Sequence, residues 1–103
     1  MTGRIKLNWR RRSEVAEFEI AGIHYRAQTS RFPSGAIAEI FSDAGKCGSG
    51  VQIAARDGAI AASLALQMGM TAEGLLHAAT KLNSGAPAGP IGRALAIFRG
   101  AVP

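Results

Sequence analysis

Residues 15–29 alternate apolar and polar side chains on both sides of one dipeptide, Ala21-Gly22, and this pattern narrows the possible folds more than any other feature of the chain. Before the dipeptide, Ala16, Phe18 and Ile20 share one side, with Glu17 and Glu19 on the other. After it, Ile23, Tyr25 and Ala27 oppose His24, Arg26 and Gln28. A period of two belongs to a half-buried strand, and a two-residue connection containing glycine supplies the positive φ of a tight hairpin. Closing the hairpin there sets Phe18 opposite Tyr25, Ile20 opposite Ile23, Glu19 opposite His24 and Glu17 opposite Arg26. Every apolar residue meets an apolar one and both acids meet bases. A slip of one residue loses all of these matches, so the register is strongly specified.

A turn is expected over Arg31-Phe32-Pro33-Ser34-Gly35, followed by a third strand over 36–42. Folding it back symmetrically predicts Ala38 near Ala27, Ile40 near Tyr25 and Glu39 near Arg26, with Arg26 held between Glu17 and Glu39 on the outer face. Ile37 and Phe41 fall on that same face, which implies that another subunit covers part of it.

The pattern changes at the glycine-rich loop 43–50, after which residues 51–68 read as the main helix, capped by Ser49. At 100° per residue, Gln52, Arg56, Ser63 and Gln67 fall in one narrow stripe and nearly everything else is apolar. Ala54, Gly58, Ala61 and Ala65 leave one side flat enough for close backbone contact. Such a helix is expected to be buried over most of its circumference and to lie across the apolar face of the sheet. Gly69 ends it, and Thr71 caps a second helix running to about Leu82. Residues 83–89 form a Gly/Pro/Ser loop, and Pro90 suits the first turn of a last helix through Arg99. The expected fold is α+β: a three-stranded antiparallel meander followed by three helices, the long central one on the sheet.

A chain of 103 residues, 48% of them hydrophobic, builds one core and no second. Gln52, Arg56, Asp57 and Gln67 interrupt the only long apolar stretch, and the first twelve residues carry no secretory pattern, so a soluble cytoplasmic domain is expected. The formal charge of +5 is unevenly placed. Arg4, Lys6, Arg10, Arg11 and Arg12 precede the first acid, Glu14, and the remaining seven bases are matched by all seven acids. Residues 1–13 therefore read as a basic arm and 14–100 as a neutral domain. With Trp9 among its bases the arm suits phosphate contact and stacking on a nucleic acid; it equally suits a solvated terminus.

Glycines ahead of a helix let backbone N–H groups converge on an anion, and Lys46 adds a positive charge to that loop. Lys46, Gly48, Ser49, Arg56 and Arg93 are the candidate ligands for a nucleoside phosphate. The loop is not a Walker motif, because its lysine comes before the glycines and its strand belongs to a meander. Cys47 sits where a thiol pKa is lowered, but local spacing brings neither His24 nor His77 to it, which leaves an ordinary free thiol. Asp57 falls at the helical angle of Ile53, Ile60, Leu64 and Met68, so it is expected as a structural buried acid held by the start of the last helix or by Arg93. No spacing of His, Cys or acids suits a metal, and no catalytic set is apparent.

Four segments together resemble the TSCPD domain family, a small module at the C-terminus of adenosylcobalamin-dependent ribonucleotide reductases that also occurs as short stand-alone proteins. They are Ala38-Glu39-Ile40-Phe41, Gly45-Lys46-Cys47-Gly48-Ser49, Ser63-Leu64-Ala65-Leu66-Gln67-Met68-Gly69 and Gly89-Pro90-Ile91-Gly92-Arg93-Ala94-Leu95. The likeness runs from Phe18 to Phe98, about four-fifths of the chain. Where the family often has T-S-C-P-D, this chain has Ala86-Pro87-Ala88-Gly89-Pro90, without the cysteine or the aspartate. The resemblance implies an association with ribonucleotide reduction and nucleotide metabolism. It does not imply that this chain carries out the reaction, which needs a radical-bearing thiol and a separate reducing pair, whereas the chain has one cysteine. The resemblance thus implies an accessory module that self-associates or docks on a reductase-like partner, with adenosylcobalamin belonging to full-length reductases and not to this chain.

Overall fold

The computed structural model describes residues 13–45 and 48–100. Three strands, β1 (Ser13–Ile20), β2 (Ile23–Arg31) and β3 (Ile37–Ala44), form an antiparallel sheet in the order β1-β2-β3. Three helices follow: α1 (Gly50–Gln67), α2 (Ala72–Ala78) and α3 (Pro90–Gly100). The α+β meander expected from the sequence is the fold observed. The first hairpin has the expected register, Phe18 opposite Tyr25 and Glu17 opposite Arg26, with the Phe18 and Tyr25 rings stacked at 5.7 Å. Its turn carries φ of 51° at Ala21 and 79° at Gly22, the double positive φ of a type I′ connection. His24 departs from expectation: its Nε2 lies 2.8 Å from Oε1 of Glu17, diagonally across the strands, not from the directly opposed Glu19.

The second hairpin is offset from its expected register. Ala27 faces Ser42, Tyr25 faces Ala44 and Arg26 faces Asp43, so the acid completing the row with Glu17 and Arg26 is Asp43 and not Glu39. The cause is the connection. Arg31 remains in β2, the turn closes through Phe32 N–H to the Ala36 carbonyl at 2.8 Å, and a bulge follows at Ser30/Arg31. The bulge lets both Ile37 and Ala38 enter the core, which corrects the placement of Ile37 on the outer face, while Phe41 stays outside.

The bulge also turns Arg31 inward. Its buried guanidinium bonds both oxygens of Glu14 at 3.0 and 3.1 Å, the Gly35 carbonyl at 2.9 Å and the Phe98 carbonyl at 2.7 Å. One cation thereby joins β1, the turn and the C-terminal end of α3, where the helix dipole favours positive charge.

The largest difference between expectation and structure concerns α1. The helix packs on the sheet along β3, with Ala55, Ala59, Ala62 and Leu66 inward, but Gln52, Ser63 and Gln67 of the polar stripe are part of its buried side and only Arg56 of that stripe is exposed. Ser63 Oγ accepts from Ile40 N–H and donates to the Ile40 carbonyl, both at 2.8 Å. Gln67 Nε2 donates to the Ala38 carbonyl at 3.2 Å, and Gln52 Nε2 donates to Asp43 Oδ1 at 2.9 Å. Ser63 and Gln67 thereby satisfy backbone groups on the free edge of β3, which an apolar helix face would leave unpaired, while Gln52 holds the strand through the Asp43 carboxylate. The opposite consequence is exposure: Ile53, Ile60, Leu64 and Met68 face outward. Asp57, on that same side, is exposed, so its expected burial is corrected.

α3 spans the inner face and reaches all three strands, contributing Ala94, Leu95 and Phe98 to the core. Gly58 permits its approach to α1, since a Cβ there would lie 3.2 Å from Cγ1 of Ile91. α2 is capped by Thr71 but ends at Ala78, short of Leu82. Lys81 Nζ ends it by donating to the carbonyls of Leu76, His77 and Ala79 at 2.6–3.0 Å. One sealed polar atom, Ser42 Oγ, has no partner among the described residues.

Two changes test this account. Ser63→Ala leaves the buried Ile40 N–H without an acceptor, and chemical denaturation should show a loss of about 1–3 kcal/mol. Ala21→Asn, better suited than alanine to the positive φ of 51° there, should raise stability by roughly 0.5–1 kcal/mol; a lower denaturation midpoint would contradict the turn assigned at Ala21.

Candidate functional site

Among the described residues, the candidate anion ligands do not assemble as one cluster. Lys46, and with it Cys47, lies outside the described residues, as do Arg4, Lys6, Trp9, Arg10, Arg11 and Arg12 of the basic arm. Gly48 and Ser49 stand at the start of α1, but their groups serve the fold. Ser49 Oγ accepts from Gln52 N–H at 3.1 Å, and Gly48 N–H donates to Gln52 Oε1 at 2.6 Å. Gln52 thus knots the loop to the helix and, through Asp43, to β3. A loop whose N–H group is already taken by a glutamine is a poor phosphate cradle.

Arg56 is exposed beside the outer face, its guanidinium 5.9 Å from the centre of the Phe41 ring. Asp43 shares its surroundings. The Asp43 carboxyl is held below its ordinary value of 3.8, chiefly by the Gln52 amide, then by the Ala44 N–H and the positive charges of Arg56 and Arg26, against an opposing effect of burial. Arg93 lies in the first turn of α3, where Nη2 meets the Pro87 carbonyl at 3.4 Å. Arg56 and Arg93 thus belong to different neighbourhoods, one beside Phe41 and the other at the start of α3. His24 is occupied by Glu17, and His77 is exposed on α2.

Two features are more prominent than the predicted cluster. The first is an apolar seam on the outer side, where Phe41 is 47% exposed, Ile53 52%, Ile60 58% and Leu64 41%. A groove of about 500 Å³ separates Ser30 and Phe41 of the sheet from Ile60 and Leu64 of the helix. The periodicity of residues 51–68 contained this seam, because Ile53, Ile60, Leu64 and Met68 follow helical spacing. Sequence reasoning assigned it to the core because a row of large apolar side chains ordinarily is core. The second feature is a cavity of about 370 Å³ between the first turns of α1 and α3, lined by Tyr25, Val51, Ala54, Thr80 and Ile91 among others. No local motif marked it, since its walls come from four separate parts of the chain.

The charge relations of Asp43 carry a pH signature. Its carboxyl titrates lower in the folded chain than in the unfolded one, so its contribution to stability is complete above pH 3.8 and is lost as pH falls through the folded value. Asp43→Asn keeps an acceptor for Gln52 and removes the charge. The variant should lose less stability than the parent between pH 5 and pH 2, measured by urea denaturation across that range; parallel profiles would contradict the assignment. Comparisons of the chain with family models, curated proteins and solved structures returned no match, so the functional reading rests on its own residues.

Proposed function

We propose that this chain is a non-catalytic accessory module that acts by docking, and that its docking surface is the outer seam of Phe41, Ile53, Ile60 and Leu64. The exposure of that seam is the observation that carries the reading. A small domain has few large apolar side chains, and placing four of them in water along a helix and its neighbouring strand costs solubility unless something covers them. The occupant that fits best is a second copy. Arg56 and Asp57 are adjacent and exposed beside the seam, so a two-fold axis passing between them sets Arg56 of each copy against Asp57 of the other.

The resemblance to the TSCPD family supplies the biological setting for this reading: a cytoplasmic module associated with ribonucleotide reduction, a reductase-like protein being its further partner. The single cysteine is consistent with an accessory role. Among the described residues no helix is long and apolar enough to cross a membrane. The alternative of a nucleic-acid binder depends on the arm of residues 1–12.

Ile60→Glu combined with Leu64→Glu tests the docking surface. Both positions are exposed, so thermal unfolding should change little, while sedimentation equilibrium should show a dimeric parent and a monomeric variant. A parent that stays monomeric at high micromolar concentration overturns self-association through this seam.

A further inference from the structure

We propose that the cavity between the first turns of α1 and α3 is a binding site for the phosphoryl group of a small molecule, with Tyr25 as its hydrogen-bond donor. The proposal is independent of the docking seam, which belongs to the other flank of α1: Ile53 and Ile60 stand roughly opposite Val51 and Ala54 around the helix axis.

The start of α3 provides the first observation. Gly89 occupies the position before the helix and has no side chain to accept from the first turn, in contrast to Ser49 and Thr71 at α1 and α2. Pro90 has no N–H to offer. Among the described residues, no group accepts from the N–H of Ile91 or Gly92, the two residues of that turn on the cavity wall. The backbone at Gly89 is open, with nothing within 4 Å of where a Cβ would lie. An uncapped helix end with an accessible backbone attracts an oxyanion. The first turn of α1 reaches the same cavity through Val51, so the positive ends of two helix dipoles border it.

The second observation is Tyr25, and it does not depend on the helices. The residue is only 6% exposed, yet its hydroxyl has no hydrogen-bond partner among the described residues. A buried phenol ordinarily finds a partner. Its ring is stacked by Phe18 and packed by Ala44 and Ala55, and the residue lines this cavity. The hydroxyl is not sealed, unlike Ser42 Oγ, so a ligand in the cavity can accept from it. Thr80 adds a second hydroxyl-bearing residue to the wall.

The remaining lining is apolar: Val51, Ala54, Ala55, Ala79 and Ile91. A volume of about 370 Å³ falls within the usual size of small-molecule sites, where apolar walls hold the body of the ligand and a few polar groups orient it. Among the described residues no lysine or arginine lines the cavity, so in this site the anion is held by N–H groups and a phenol. The shared chemistry is a phosphate, free or carried on an organic body.

The chain has one tyrosine, so 3-fluorotyrosine labelling yields a single ¹⁹F resonance that reports the site directly. The labelled full chain is titrated with inorganic phosphate and, separately, with a nucleoside monophosphate, while ¹⁵N spectra follow the amides. Saturable shifts should appear at Tyr25, Ile91 and Gly92. Tighter binding of the nucleoside monophosphate supports an organic phosphate, and equal binding supports free phosphate. Tyr25→Phe should weaken binding about tenfold, the worth of one hydrogen bond to a charged group. Ala54→Glu, at an exposed wall position, should weaken it by repulsion without disturbing the core, and keeps the test valid if Tyr25→Phe folds poorly. Absence of shifts at these three residues with both probes at millimolar concentration overturns the proposal. So does full binding by the Ala54→Glu chain.

Discussion

The open edge of β3 sets the terms for the rest of the molecule. A three-stranded sheet has two edges, and the one next to the core must have its backbone groups satisfied if a helix is to lie against it. α1 does this with side chains: the hydroxyl of Ser63 serves both backbone groups of Ile40, and the amide of Gln67 serves Ala38. Because those residues must face inward, three alanines and Leu66 fill the rest of the buried side, and the alanines keep the helix close. Apart from Leu66, the bulky apolar residues Ile53, Ile60 and Leu64 of α1 are then left on the outer flank. The seam beside Phe41 is thus the counterpart of the hydrogen bonds on the other side of the same helix.

Much of the architecture was legible because local rules governed it. The Ala21-Gly22 turn, the first register, the caps at Ser49 and Thr71, the stop at Gly69 and the start at Pro90 all depend on residues within a few positions of one another. The second register was not legible in this way, because a bulge is decided by where Arg31 finds its partners, and those lie on β1 and α3. The inversion of α1 had a similar source. Amphipathicity shows which residues share a side, but not which side is wet, and a strand edge in need of partners reverses the usual answer. Asp57 shows this well: it was grouped with the right neighbours and assigned to the wrong environment.

The sites were less legible than the fold. The glycine-rich loop ahead of α1 suggested an anion cradle, but Gln52 and Ser49 use its groups to anchor the helix. The less conspicuous Gly89-Pro90 start of α3 leaves its first turn unused. Glycine before a helix is compatible with either outcome, and the difference lies in whether a nearby side chain reaches back. Alternation placed Tyr25 on the apolar side of the hairpin; only the packing of α1 against α3 sets it in the wall of a cavity.

The guanidinium of Arg31 bonds the carbonyl of Phe98, 67 positions further along the chain. During synthesis the sheet is complete long before that carbonyl emerges from the ribosome, and Ile40 likewise waits for Ser63. A nascent meander therefore holds a charge and an edge whose partners have not yet been made, so it has little reason to settle early. Such a chain is expected to commit to its native state late and in a single step, and to depend until then on whatever shields unfinished sheets in the cell.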